Sequence, residues 1–216
     1  MLLRHSVRDL LLASWEADPD QVRALLPPGL TPAPVDGRHL VTIAGLRWRR
    51  GRLAGVPLPP FSQLNVRAYV RHGEETGVFF TALRVTPPGL GGALFGFPVR
   101  PARLRVRPHL VEAPGIGVRI AFERSGPAEP SDLGHHELGL FEAAGTRVFR
   151  IRRGEVSWER AEPTEPVRAD PLLALGFGLE RPPTLRYAER ASFEVELPPV
   201  RIEPAGPRSS ASRSAR

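Results

Sequence analysis

Phe61-Ser62-Gln63-Leu64-Asn65-Val66-Arg67-Ala68-Tyr69-Val70 alternates polar and apolar side chains from Gln63 onward, and after a turn comes Gly77-Val78-Phe79-Phe80. Successive strand residues point to opposite faces. Leu64, Val66, Ala68 and Val70 therefore share one face, and Gln63, Asn65, Arg67 and Tyr69 share the other. The polar face has two readings. It meets water on a half-buried strand, or it lines the inside of a barrel whose wall carries a few convergent polar groups for a ligand.

The neighbouring segments also read as strands. Extended runs are expected at 39–48, 64–71, 78–85, 99–111, 117–123, 146–152, 156–160 and 191–197, with another entering from His5 to Glu16, each bounded by glycine, proline or acidic turns. About nine strands is the count of a barrel or sandwich. Helices are few and short. Asp18 is a good cap, Pro19 suits a first helical position and Gln21 completes a capping-box spacing ahead of Val22 and Leu25. Two more short helices are expected at 90–95 and at 170–175, with Asp170 capping the latter.

Composition bounds the rest. The 216 residues, 41% hydrophobic and 25% charged, can bury one core, so residues 1–203 are expected to form a single domain. The 21 glycines and 25 prolines imply many turns. Residues 204–216 hold nothing apolar beyond alanine and are expected to be a disordered basic tail. Three of the seven net positive charges, Arg208, Arg213 and Arg216, lie in that tail, so the body carries little excess for nucleic acid, and specific nucleic-acid binding is not expected. The chain has no cysteine, which leaves no disulfide framework and makes the cytoplasm the default location. Leu10 to Leu12 is too short and too charged at its flanks for a membrane span.

All 30 basic side chains are arginine. A guanidinium stays protonated and cannot form a Schiff base, and thiolate chemistry needs a thiol. His135-His136-Glu137 lacks the second zinc-binding histidine, because position 140 is Leu140, so no metal site is expected. Gly89, Gly91, Gly92 and Gly96 fit neither dinucleotide nor P-loop spacing, and no cofactor is implied. Arg103, Arg105 and Arg107 alternate, as do Arg150 and Arg152; such stripes read as a solvated exterior.

The chain resembles the YqjF-like bacterial proteins of the acetoacetate decarboxylase-like superfamily, from about Val7 to Leu197. The resemblance rests on the Pro57 to Phe80 segment, the opening Trp15, Asp18-Pro19, Leu25-Leu26-Pro27 and Gly29-Leu30 pattern, the Gly96-Phe97-Pro98 turn and the Phe149 to Trp158 stretch. It implies a mainly β (α+β), barrel-type antiparallel sheet around a cavity, with two or three short helices. It also implies that the decarboxylase chemistry is missing. The enzyme's Gly-x-Pro-Lys-Lys turn corresponds to Gly96-Phe97-Pro98-Val99-Arg100, so the Schiff-base lysine is replaced by Val99 and its lysine neighbour by Arg100. The cavity glutamate falls at Gln63, and the substrate-facing arginine at Arg8. Arg8, Gln63, Asn65, Arg67, Tyr69, Val99 and Arg100 are thus the expected ligand-binding set, suited to a small organic acid. An equal reading pairs Arg8 and Arg67 with surface acids such as Asp9 or Glu16. A non-covalent enzyme acting on a small carboxylate, and a scaffold with a filled barrel, are the alternatives. A homo-oligomer is compatible with all three.

Overall fold

Residues 1–131, 133 and 136–202 are described by the computed structural model. The expected tail at 204–216 and His135 of the histidine pair lie outside them. The elements run β1 (Leu2–Glu16), α1 (Pro19–Ala24), β2 (Thr31–Pro32), β3 (Leu40–Leu53), β4 (Val56–Leu58), β5 (Phe61–His72), β6 (Glu75–Val85), a 3-10 segment at Pro87–Phe95 and β7 (Val99–Pro101). They continue with β8 (Arg105–Arg107), β9 (Leu110–Ala113), a 3-10 turn at Pro114–Ile116, β10 (Val118–Pro127), β11 (Leu138–Glu142) and β12 (Thr146–Arg153). The last are β13 (Glu159–Pro163), β14 (Arg168–Ala169), α2 (Asp170–Ala174), β15 (Thr184–Glu196) and β16 (Val200–Arg201).

Seven strands close into a barrel in the order β12-β11-β6-β5-β3-β1-β15, with β15 returning to β12 through the pairs Ile151 to Val195 and Arg153 to Phe193. Closure leaves the seven strands no free edge within the ring. From β15 the sheet continues outward through β13, β10, β9 and β8, a flap that folds over one side of the barrel. The outward side chains of β1, β3 and β5, among them Leu11, Ala13, Ile43, Leu64, Val66 and Ala68, pack with Val106, Val111, Ile120, Phe122 and Leu172 into one buried cluster between barrel and flap.

The alternation of the 61–70 segment holds, and β5 pairs antiparallel with both β3 and β6. The sheet is not wholly antiparallel: β6 runs parallel to β11 on one side and to β7 at its end. The single strand expected over 99–111 is three strands, β7, β8 and β9, because Pro101 and Pro108 supply no N–H to a continuous ladder. The strand expected at 156–160 lies three residues later, at Glu159–Pro163. The helix expected at 90–95 is a 3-10 segment beginning at Pro87, as suits a run holding three glycines. Asp18 caps α1 through the amide of Asp20, at 2.7 Å, while Gln21 makes no reciprocal contact and reaches the carbonyl of Gly176 instead. Ala169 stands at the cap of α2, and Asp170 opens the helix with its carboxylate held by Arg168.

Candidate functional site

The barrel encloses a cavity of about 360 Å³. On β5 the inward residues are Gln63, Asn65 and Arg67, so the polar face of the segment lines the cavity instead of meeting water. Asn65 and Arg67 are buried, at 2% and 7% exposure. Trp48 Nε1 donates to Gln63 Oε1 at 3.0 Å, and the same indole stacks between His5, at 3.7 Å, and Phe61, at 4.7 Å. Tyr69 is buried one step beyond the lining. Its hydroxyl accepts from Arg67 Nη2 at 3.4 Å, and its ring meets His136 edge-on.

A second arginine reaches the cavity from across the barrel. On β12 the inward phase runs Phe149, Ile151, Arg153, so the stripe of Arg150 and Arg152 does face outward, and the next arginine faces in. Burial, and then the nearby charge of Arg67, lowers the pKa of Arg153. Its guanidinium also lies over the Trp158 ring at 5.9 Å. No carboxylate among the described residues lines the cavity, and none forms an ion pair with Arg67 or Arg153. Arg67 Nε, Arg153 Nη1 and Trp158 Nε1 are buried with no hydrogen-bond partner. The polar end of the cavity is rich in donors and in positive charge.

The resemblance places Arg8 and Arg100 at the site; the structure places both elsewhere. β1 carries a bulge at Asp9, which has φ of 52° and a register shift against β3. Leu3 and His5 face inward before the bulge and Leu10 and Leu12 after it, so Arg8 falls in the outward phase. Asp9 is itself buried on that outer side, where it accepts from the Tyr187 hydroxyl at 2.9 Å and pairs with Arg47. Burial and the Asp9 hydrogen bond raise the Tyr187 pKa, keeping the phenol protonated. The acids suggested as surface partners are therefore engaged: Asp9 by Arg47, and Glu16 by Arg38 and Arg181. Arg100 is exposed on β7 beside Arg84, while its neighbour Val99 lines the cavity.

Among the described residues the lining contains no serine, threonine, cysteine or acidic side chain. Its imidazoles are His5 and His136, and burial lowers the His5 pKa to about 3, which leaves that ring neutral near pH 7. Among the described residues no group of three metal-ligating side chains comes together, and no helix is long and apolar enough to cross a membrane.

Comparison with known proteins agrees with this architecture. The acetoacetate decarboxylase-like enzyme from Sphingomonas wittichii RW1 superposes with a TM-score of 0.66 at 18% identity, covering 94% of this chain and 93% of that one. Acetoacetate decarboxylase from Legionella pneumophila gives 0.62 at 12% identity, over 93% and 87%. The enduracididine biosynthesis enzyme MppR complexed with pyruvate gives 0.61 at 11% identity, over 90% and 88%. These likenesses establish the acetoacetate decarboxylase-like fold. No curated protein matches in sequence. Residues 4–189 match the family of uncharacterized conserved proteins DUF2071, and the chain belongs to that family.

Proposed function

We propose that this DUF2071 member binds a small organic acid in its barrel cavity, with Arg67 and Arg153 holding the carboxylate. The observation that carries the reading is the pair of guanidinium groups converging on a cavity that, among the described residues, offers them no acid. An unpaired buried charge costs several kcal/mol, and two like charges add to the cost. A bound carboxylate offsets both, since arginine presents a planar fork that matches it in bidentate fashion. MppR, of the same fold, is complexed with pyruvate, a small acid of this class. The open volume weighs against a scaffold whose barrel is filled by side chains.

With Val99 at the position where the resemblance expects an amine, and with no lysine anywhere in the chain, covalent capture of a carbonyl through a side-chain amine is unavailable. Arg8, on the outer face, has no part in binding.

Thermal stabilisation by pyruvate and benzoate tests the assignment. Ligand that binds only the folded state raises stability by mass action. Wild type and Arg8→Ala should be stabilised alike, whereas Arg67→Met and Arg153→Met should each weaken binding roughly 10- to 150-fold, the equivalent of a lost charge-assisted hydrogen bond of about 1.5 to 3 kcal/mol. Stabilisation that survives both methionine variants would overturn the reading.

A further inference from the structure

The cavity is two-ended. The lining polar groups of β5 sit toward one end, packed near the cluster that holds Leu10, Leu12, Ala44 and Tyr69. The other end is lined by Leu3, Leu58, Phe95, Phe97, Phe149 and Val195, most of which belong to a separate cluster with Ile151 and Leu197. Along β5 the lining goes from the charged Arg67 through the neutral amides of Asn65 and Gln63 to Phe61, and the β6 residues level with the first three, Phe80, Leu83 and Val85, are apolar. Phe149 and Ile151 repeat the gradient below Arg153 on β12. Leu94 lines the apolar end and is 87% exposed, so this end opens to solvent beside the 3-10 segment.

We infer that the ligand is an amphiphilic monocarboxylic acid, its head on Arg67 and Arg153 and an aliphatic or aryl tail of about six to eight carbons in the apolar end. This rests on the carboxylate reading above and narrows it. A two-carbon or three-carbon acid satisfies the arginines and leaves the apolar wall in contact with water. A tailed acid removes that wall from water, and the apolar transfer term then adds to the ionic one. The cavity has room for it: 360 Å³ corresponds to about a dozen water-sized units at roughly 30 Å³ each.

Calorimetric titration of the full chain with acetate, butanoate, hexanoate, octanoate and 3-phenylpropanoate, with 1-octanol as the uncharged control, tests the inference. The dissociation constant should fall about fourfold for each methylene between butanoate and octanoate, which is the transfer free energy of a buried methylene expressed as a ratio. Octanol should bind at least tenfold more weakly than octanoate. Leu58→Trp, which fills the apolar end from the short strand β4 outside the barrel ring, should remove the advantage of octanoate over acetate. Affinity that is flat with chain length but lost in Arg67→Met would overturn the tail and leave the carboxylate site standing. Octanol binding as tightly as octanoate, with Arg67→Met indifferent to both, would overturn the carboxylate site and this inference with it.

Discussion

Strand β5 divides two regions that treat their side chains in opposite ways. Its outward face, Leu64, Val66 and Ala68, enters the layer under the flap, which is filled and apolar. A Cβ added at Gly45 would stand 2.6 Å from a Val111 methyl, so the layer leaves no room for a side chain there. Its inward face, Gln63, Asn65 and Arg67, borders open volume and leaves buried polar atoms without partners, Arg67 Nε and Asn65 Oδ1 among them. The buried acid on the flap side, Asp9, accepts from Tyr187 and is ion-paired with Arg47, although Asp9 Oδ2 and Arg47 Nε lack a hydrogen-bond partner. The buried charge on the flap side is thus paired within the protein, whereas Arg67 and Arg153 on the cavity side meet no acid among the described residues. Native folds rarely keep unsatisfied buried groups unless something else meets them.

This contrast can be broken by mutation. Leu64→Ala should cost about 2 to 5 kcal/mol, since the flap layer has no slack to collapse into the void; urea unfolding measures it, and a loss below about 1 kcal/mol would mean that the layer is loosely packed. The cavity side should respond to pH. His5 has its folded pKa depressed to about 3 against an ordinary 6.5, so its stability contribution is complete above pH 6.5 and is lost as pH falls toward 3, where the unfolded chain takes up a proton the folded one refuses. The slope amounts to roughly 3 kcal/mol between pH 6.5 and 4. His5→Phe, which keeps the stack on Trp48, should flatten it; an unchanged pH profile would show that His5 titrates normally. The smallest effect should come from the strand that gave the largest. Without ligand, Asn65→Leu and Arg67→Met should leave stability within about 1 kcal/mol of wild type or raise it, because each removes a buried polar atom without a partner, Asn65 Oδ1 and Arg67 Nε, and Arg67→Met gives up only the long 3.4 Å hydrogen bond to Tyr69. A loss comparable to Leu64→Ala would mean that these residues serve the fold.

Part of this was legible in the sequence. The alternation from Gln63 to Val70 located the strand and its two faces, but periodicity cannot say whether a polar face meets water or a cavity; that depends on barrel closure by β12 and β15, far along the chain. Strand β11 escaped because Leu138-Gly139-Leu140-Phe141 is short, apolar on both faces and interrupted by a glycine, whose Cβ would collide with Phe149. Arg8 was placed at the site by resemblance, and the bulge at Asp9, which turns it outward, has no clear mark in the sequence. Arg153 was within reach: Arg150 and Arg152 were read as an outward stripe, and by the same alternation the next residue faces in.

A crystal structure of the octanoate complex would locate the acid. The carboxylate should lie within about 3 Å of guanidinium nitrogens of both Arg67 and Arg153, with the tail running past Phe149 toward Phe97. Density for the acid outside the barrel, or Arg67 paired with a protein carboxylate while the cavity stays closed to the acid, would contradict this placement.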